Sequence, residues 1–191
     1  MNLTDPGNND HDRYLVNRVL AGDSALFGTI IKNTEALVAQ VVMKMVTDAE
    51  DRKDLAQEIY LKAFKNLGSF KFKSKLSTWI AQIAYNSCFD YLRRRKLVLA
   101  EADDAVLAIA AVEDAGHRIK TKELASLLKQ GMDKLTPVYR TLITLYHQEE
   151  MGYNEIGQIT GLPEGTVKSY LFRARKALQQ ELSLKYQKDD V

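Results

Sequence analysis

Six side chains late in the chain are of the types that bind a polyanion: Lys168, Ser169, Phe172, Arg173, Arg175 and Lys176. On a helix they occupy the face left over when Val167, Leu171, Ala174 and Leu178, spaced by four, three and four, turn inward. Only Glu164 opposes them in charge. Basic side chains neutralise phosphates, and Lys, Ser and Arg near the start of such a helix can reach base edges in a major groove. A second set, Phe70, Lys71, Phe72, Lys73, Ser74, Lys75, Leu76, Ser77, Thr78 and Trp79, interleaves bases with aromatic and small polar residues. That mixture suits single-stranded nucleic acid, where lysines track the backbone and aromatic faces stack on exposed bases. The competing reading is a lysine-rich surface loop, and for Trp79 itself a core position is preferred. Further on, Gln82, Asn86, Phe89 and Arg93 recur at four, three and four as candidate base and phosphate contacts, ahead of Arg94, Arg95 and Lys96. A basic helix end answering its own dipole explains that terminal run equally well.

Other chemistries lack their residues. Cys88 is the single cysteine, which rules out an intramolecular disulfide or a multi-Cys zinc site and fits a small core residue better than a sensor. His11, His117 and His147 are scattered, with no Asp, Glu or Cys at ligand spacing. No phosphate-binding glycine loop, nucleophile elbow or dinucleotide fingerprint occurs. The expectation is a binding protein with no catalytic site, no metal and no cofactor.

The elements that must position these residues read as helices. Prolines stand only at Pro6, Pro137 and Pro163, and apolar residues recur at helical spacing, as in Leu26 and Ile30, Ile59 and Ala63, or Ala63 and Leu67. Residues 154–160 form a short helix, Gly161 a left-handed turn, and Pro163 with Glu164 the first turn of a second helix. This is the helix-turn-helix arrangement. Upstream, Thr136 caps a helix of about 137–146 whose stripe is Val138, Leu142 and Leu145. A helix of about 77–95 turns Ile80, Ile83, Ala84, Ser87 and Tyr91 to one side.

Net charge decides nothing, since 27 Lys and Arg face 25 Asp and Glu. Its distribution does. Residues 48–58 carry Asp48, Glu50, Asp51, Asp54 and Glu58, whereas residues 70–96 carry seven bases against Asp90 alone. After Lys96 the composition shifts to alanines with Glu101, Asp103, Asp104, Glu113 and Asp114 and no base through Gly116. No broad apolar face is present to dock a helix there, so the stretch reads as an acidic linker. The expected fold class is all-α: two small helical domains, 12–96 and 120–186, joined by the linker 97–119. A 46% hydrophobic content is ample for two cores, and the polar start with no run of ~18 apolar residues predicts a cytoplasmic, membrane-free protein.

These residues resemble a family. Asp54-Leu-Ala-Gln-Glu58, Phe70 to Trp79, Ile83-Ala-Tyr-Asn86 and Asp90-Tyr-Leu-Arg-Arg94 resemble domain two of the sigma-70 family of RNA polymerase sigma factors. Leu135-Thr-Pro with Tyr139-Arg140, Tyr153-Asn-Glu-Ile156, Glu164-Gly-Thr-Val-Lys-Ser169 and Arg173-Ala-Arg175 resemble domain four. The order, with only a linker between, is similar to the extracytoplasmic-function group. The resemblance implies a factor that binds core RNA polymerase and directs promoter recognition and DNA opening. Asp54, Gln57 and Glu58 would grip the clamp helices of core polymerase. Lys71, Phe72, Lys73, Ser74, Lys75, Ser77 and Thr78 with Asn86 would capture and melt the minus-ten element, beside Gln82 and Arg93. Lys168, Ser169, Phe172 and Arg173 would read the minus-thirty-five element, with Lys176 on the same basic face. The linker would thread toward the active centre, and an anti-sigma factor is an implied partner. Two departures stand out: Phe72-Lys73-Ser74 replaces a frequent Gly-Asp-Ser, and Tyr170 sits where Arg is common. A stand-alone helix-turn-helix regulator is the alternative, and an enzyme on nucleic acid would need clustered carboxylates or metal ligands that are missing.

Overall fold

The computed structural model describes residues 6–101 and 120–189, and all of the regular structure among them is helical. The elements are α1 (Pro6–Leu20), α2 (Phe27–Met45), α3 (Ala49–Lys65), α4 (Leu76–Glu101), α5 (Lys120–Lys134), α6 (Pro137–His147), α7 (Tyr153–Thr160) and α8 (Glu164–Asp189), with 3-10 turns at Ser24–Leu26 and Leu67–Ser69. Most of the linker expected at 97–119 lies outside the described residues. Its first residues, to Glu101, continue α4.

Local chemistry sets several helix starts. Asp48 accepts from the backbone N–H groups of Glu50 and Asp51 at 2.9 and 3.0 Å, and those two acids sit in the first turn of α3, where the dipole favours them. Thr136 accepts from the Tyr139 N–H at 3.3 Å and Pro137 enters the first turn of α6, as its missing N–H allows. The start of α4 is capped from another element: the Leu76 N–H donates to an Asp12 carboxylate oxygen at 2.9 Å. α1 therefore holds the end of the basic loop.

Packing follows from the apolar stripes. α2 turns Ile30, Leu37, Val38, Val41, Val42 and Met45 inward and touches α3, α4 and α6. Leu55, Ile59 and Ala63 line the inner side of α3, and Ile80, Ala84 and Cys88 that of α4. Between α3 and α4, the Lys62 ammonium bridges Glu58 at 2.7 Å and Ser87 at 3.1 Å. α6 is buried from Arg140 to Leu145 because α2, α7 and α8 all pack on it, so its inner surface is wider than the single stripe read from sequence. Arg140, 7% exposed, spans the α5–α6 turn by donating to the carbonyls of Asp133 and Leu135 at 3.2 and 3.1 Å. The two halves share one continuous core, with α6 against α2 and α7 against α4.

Candidate nucleic-acid interface

The helix-turn-helix is built by its turn. Gly161 adopts φ +72° and its N–H closes α7 onto the Gly157 carbonyl at 2.9 Å, a left-handed cap that a residue with a Cβ enters only at a cost. Pro163 then accepts at its carbonyl from Thr166 and Val167, at 2.8 and 3.0 Å, and starts α8. Val167, Leu171 and Ala174 are fully buried, which fixes the outward face. On that face Lys168, Ser169, Phe172, Arg173 and Lys176 are all exposed, Phe172 at 67%.

Their partners differ. Lys168 pairs with Glu164 at 2.7 Å and lies 5.2 Å from the Tyr153 ring centroid, while the Ser169 hydroxyl donates back to the Thr166 carbonyl at 2.9 Å. Arg173 and Lys176 face no acid among the described residues. Arg175, counted with them from sequence, is instead folded back: its Nε donates to His147 Nε2 at 3.2 Å and its guanidinium covers the Tyr146 ring at 4.8 Å. Tyr146 stacks on Tyr153 at 5.3 Å, and their hydroxyls are hydrogen-bonded, which pushes the Tyr153 phenol up and the Tyr146 phenol down. Tyr170 packs edge-on against Tyr139 at 5.8 Å, so it serves the interior instead of an outward phosphate contact.

The basic aromatic loop runs between α3 and α4. Phe70 is buried and carries Phe72 at 4.7 Å and Trp79 at 5.3 Å, and Arg13 covers the Phe72 ring at 4.9 Å. Trp79 is half-buried, in keeping with the core position preferred for it. Lys71, Lys73 and Lys75 are exposed around this aromatic floor, and Ser74 and Ser77 are half-buried. Thr78, at 2%, is buried and offers no surface hydroxyl. Phe72 has φ +56°, a region costly for any residue with a Cβ. The departure in sequence is thus also a strained point in the backbone.

On α4, Gln82 is half-buried, Asn86 and Arg93 are exposed, and Phe89 is 48% exposed beside Tyr85. Arg93 pairs with Asp90 at 3.1 Å. Arg95 is held by Asp51 at 3.8 Å and by the Tyr91 hydroxyl at 2.8 Å. Because α4 continues to Glu101 with no base in its last turn, the 93–96 run is not a helix terminus, and the dipole explanation for it fails.

Asp54 and Gln57 are exposed on α3, and Glu58 is half-buried in its pair with Lys62. Leu61, 58% exposed, and Phe64, 44% exposed, were not singled out from sequence. They follow Asp54, Gln57 and Glu58 at helical spacing, so an apolar stretch adjoins the acids. Among the described residues no cluster of His, Cys, Asp and Glu could hold a metal ion.

Family models described as "Sigma-70 region 2" and "Sigma-70, region 4" match residues 30–98 and 125–178. RNA polymerase sigma-H factor of Pseudomonas aeruginosa is 30% identical over 182 residues, covering 91% of this chain and 94% of that protein. The chain belongs to the sigma-70 family. Within that family it falls with the ECF sigma factors: SigW of Bacillus subtilis is 30% identical over 176 residues, covering 87% and 94%, and sigma-E of Escherichia coli K12 is 31% identical over 180 residues, covering 90% and 94%. It is a sigma factor, all-α in fold. Two solved structures share that fold: CnrH in complex with the cytosolic domain of CnrY, at TM-score 0.63 and 24% identity over 91% of this chain and 97% of the other, and the sigma factor RpoE of Bartonella quintana in complex with the anti-sigma factor NepR, at 0.66 and 23% over 82% and 96%. The match along both halves favours a sigma factor over a stand-alone regulator.

Proposed function

We propose that this sigma factor divides its work between residues 12–96 and 120–186, joined by 97–119, and that it acts in the cytoplasm as a binding factor without a catalytic centre. Asp54, Gln57 and Glu58 engage core polymerase. Lys71, Phe72, Lys73, Ser74, Lys75, Ser77, Gln82, Asn86 and Arg93 engage the minus-ten element as it opens, and Thr78 holds the loop from beneath. Lys168, Ser169, Phe172, Arg173 and Lys176 engage the minus-thirty-five element as duplex. An anti-sigma factor is the proposed regulator, by extension from the sigma factor RpoE, solved with the anti-sigma factor NepR.

One observation carries the reading: Arg173 and Lys176 stand exposed on the outward face of α8 while a separate lysine-ringed aromatic loop leads into α4. Duplex recognition wants a helix edge with free cations, and single-strand recognition wants stacking surfaces among lysines. Transcription in vitro with core polymerase over a randomised promoter library tests it. The expected result is enrichment of paired elements near minus ten and minus thirty-five. Arg173→Ala should relax selection at the upstream element, and Asp54→Ala with Glu58→Ala should weaken core binding; unchanged selection and unchanged core affinity would refute the respective assignments.

A further inference from the structure

One flank of the outward face of α8 carries a layered cluster in which a cation is tied to an imidazole. Arg175 stands on the same side of α8 as Lys168, two turns further along the helix. Its guanidinium covers the Tyr146 ring at 4.8 Å, Tyr146 stacks on Tyr153 at 5.3 Å, and the Lys168 ammonium lies 5.2 Å from the Tyr153 centroid. Two cations thus bracket two stacked phenol rings. Lys168 also has a carboxylate, that of Glu164 at 2.7 Å. Arg175 has none among the described residues; its Nε donates instead to His147 Nε2 at 3.2 Å.

That hydrogen bond specifies the form of the imidazole. A ring nitrogen accepts only while it carries no proton, so the bond needs neutral His147 with its hydrogen on Nδ1. A proton on Nε2 turns the acceptor into a donor and sets a second cation against the guanidinium, and the contact is lost. Nothing bonded to His147 offsets the new charge. On α6 its neighbour is the Tyr146 ring, met edge-on at 4.9 Å; α7 brings Tyr153 behind that ring, and α8 brings Arg175. Among the described residues α2 supplies it no ion pair, and Glu149 and Glu150, in the turn after α6, neither bond nor pair with it. His147 and Arg175 are both exposed, so a released guanidinium meets solvent and not the core. A helix seated in a major groove has a phosphate wall on each flank, and a free arginine fork on the Lys168 side faces one of them.

We propose that His147 is a positioning residue for Arg175 and makes duplex binding pH-dependent: neutral, it holds the guanidinium down on Tyr146; protonated, it frees the fork for a backbone phosphate beside the minus-thirty-five element. The proposal rests on the assignment of α8 to that element. It goes beyond it in naming a further contact and the group that withholds it.

Holoenzyme reconstituted with core polymerase, binding a labelled linear duplex from the enriched promoter library, tests it at about pH 6 and about pH 8, either side of the range in which imidazoles gain a proton. Core polymerase contributes the same background to every variant. The wild-type chain should bind about threefold tighter at the lower pH, the scale of one exposed charge contact. Its log affinity should also fall more steeply with log salt there, by about 0.9, the counterion release of one phosphate. His147→Gln keeps an acceptor oxygen for Arg175 and does not titrate, so it should match wild type at the higher pH and gain nothing at the lower. His147→Ala offers no acceptor and should bind about threefold tighter than wild type at the higher pH, with no further gain. Arg175→Ala should abolish the wild-type gain. A flat wild-type profile, or His147→Ala binding no tighter than wild type at the higher pH, overturns the proposal. So does Arg175→Ala that keeps the full gain, because the imidazolium itself would then be the phosphate contact. Should Arg173→Ala leave affinity unchanged at both pH values, the assignment of α8 falls, a failure that this variant alone reports.

Discussion

At the scale of single residues, Phe72 shows how one side chain holds an unfavourable backbone. Its φ of +56° costs about 1–2 kcal/mol for a residue with a Cβ, and the ring's contacts with Phe70 and Arg13 offset it. Phe72→Ala keeps the strained angle and loses the ring, whereas Phe72→Gly loses both. Thermal unfolding should therefore find the glycine variant the more stable of the two by about 1 kcal/mol; equal midpoints would mean that the loop does not hold this angle. Cys88 makes a second case. Burial pushes its thiol from 9.0 up to about 12, so the folded chain binds this proton more tightly than the unfolded chain. That contribution is complete below pH 9 and is lost as pH rises toward 12. In native buffer near pH 8 a maleimide should leave Cys88 unmodified, with labelling rate following global unfolding as denaturant is added; rapid native labelling would contradict the burial. Sequence reached the core placement of Cys88 from residue type alone, since a lone small apolar residue needs only a cavity of its size. It did not reach Arg175, because the pull of His147 and Tyr146 comes from α6, two helices earlier, and a helical wheel carries no such neighbour.

Among elements, those with local signals were legible and those defined by distant partners were not. Gly161, Pro163 and Thr136 each act within a few residues, so α6, α7 and α8 could be read with their boundaries nearly right. Thr136→Ala should cost about 1 kcal/mol as the α6 cap is lost, and Gly161→Ala about 1 kcal/mol as a Cβ enters a left-handed position, both measured by denaturant unfolding with unchanged slope. Leu171→Ala, by contrast, empties a fully buried site and should cost about 2–5 kcal/mol. Reduced upstream-element binding by that variant would then report unfolding, which makes Arg173→Ala the cleaner probe. The width of the buried surface on α6 was not legible. Ile143 and Thr144 read as ordinary helix residues, and their burial follows from the packing of α2, α7 and α8 around α6. Likewise the cap that Asp12 gives Leu76 joins residues too far apart for any local rule to pair them. Truncating α1 should therefore loosen the loop before α4, seen as faster amide exchange at 71–76.

For the whole molecule, composition and charge segregation were enough to predict an all-helical chain with two nucleic-acid surfaces, yet they say nothing about one surface covering the other. That depends on α2 meeting α6 and α4 meeting α7. Both contacts are tertiary, and the ion pair between Lys75 and Glu155 is partly exposed at 42% and 30%, too weakly bonded to fix the arrangement by itself. Added salt should accordingly loosen the contact between α7 and the loop only modestly, seen as little change in amide exchange on α7; strong salt dependence would mean that the ion pair and not the apolar packing holds it.

The continuation of α4 to Glu101 has a mechanical consequence. Residues 102–119, even fully extended, cover roughly 60 Å, less than the separation of the two promoter elements. The missing reach has to come from rigid parts, and α4, α5 and α8 are the struts available. Shortening the tether by a few residues should then penalise promoters with long spacers first and leave short-spaced ones active, so that the distance this factor tolerates is set by a ruler whose stiff end is a helix.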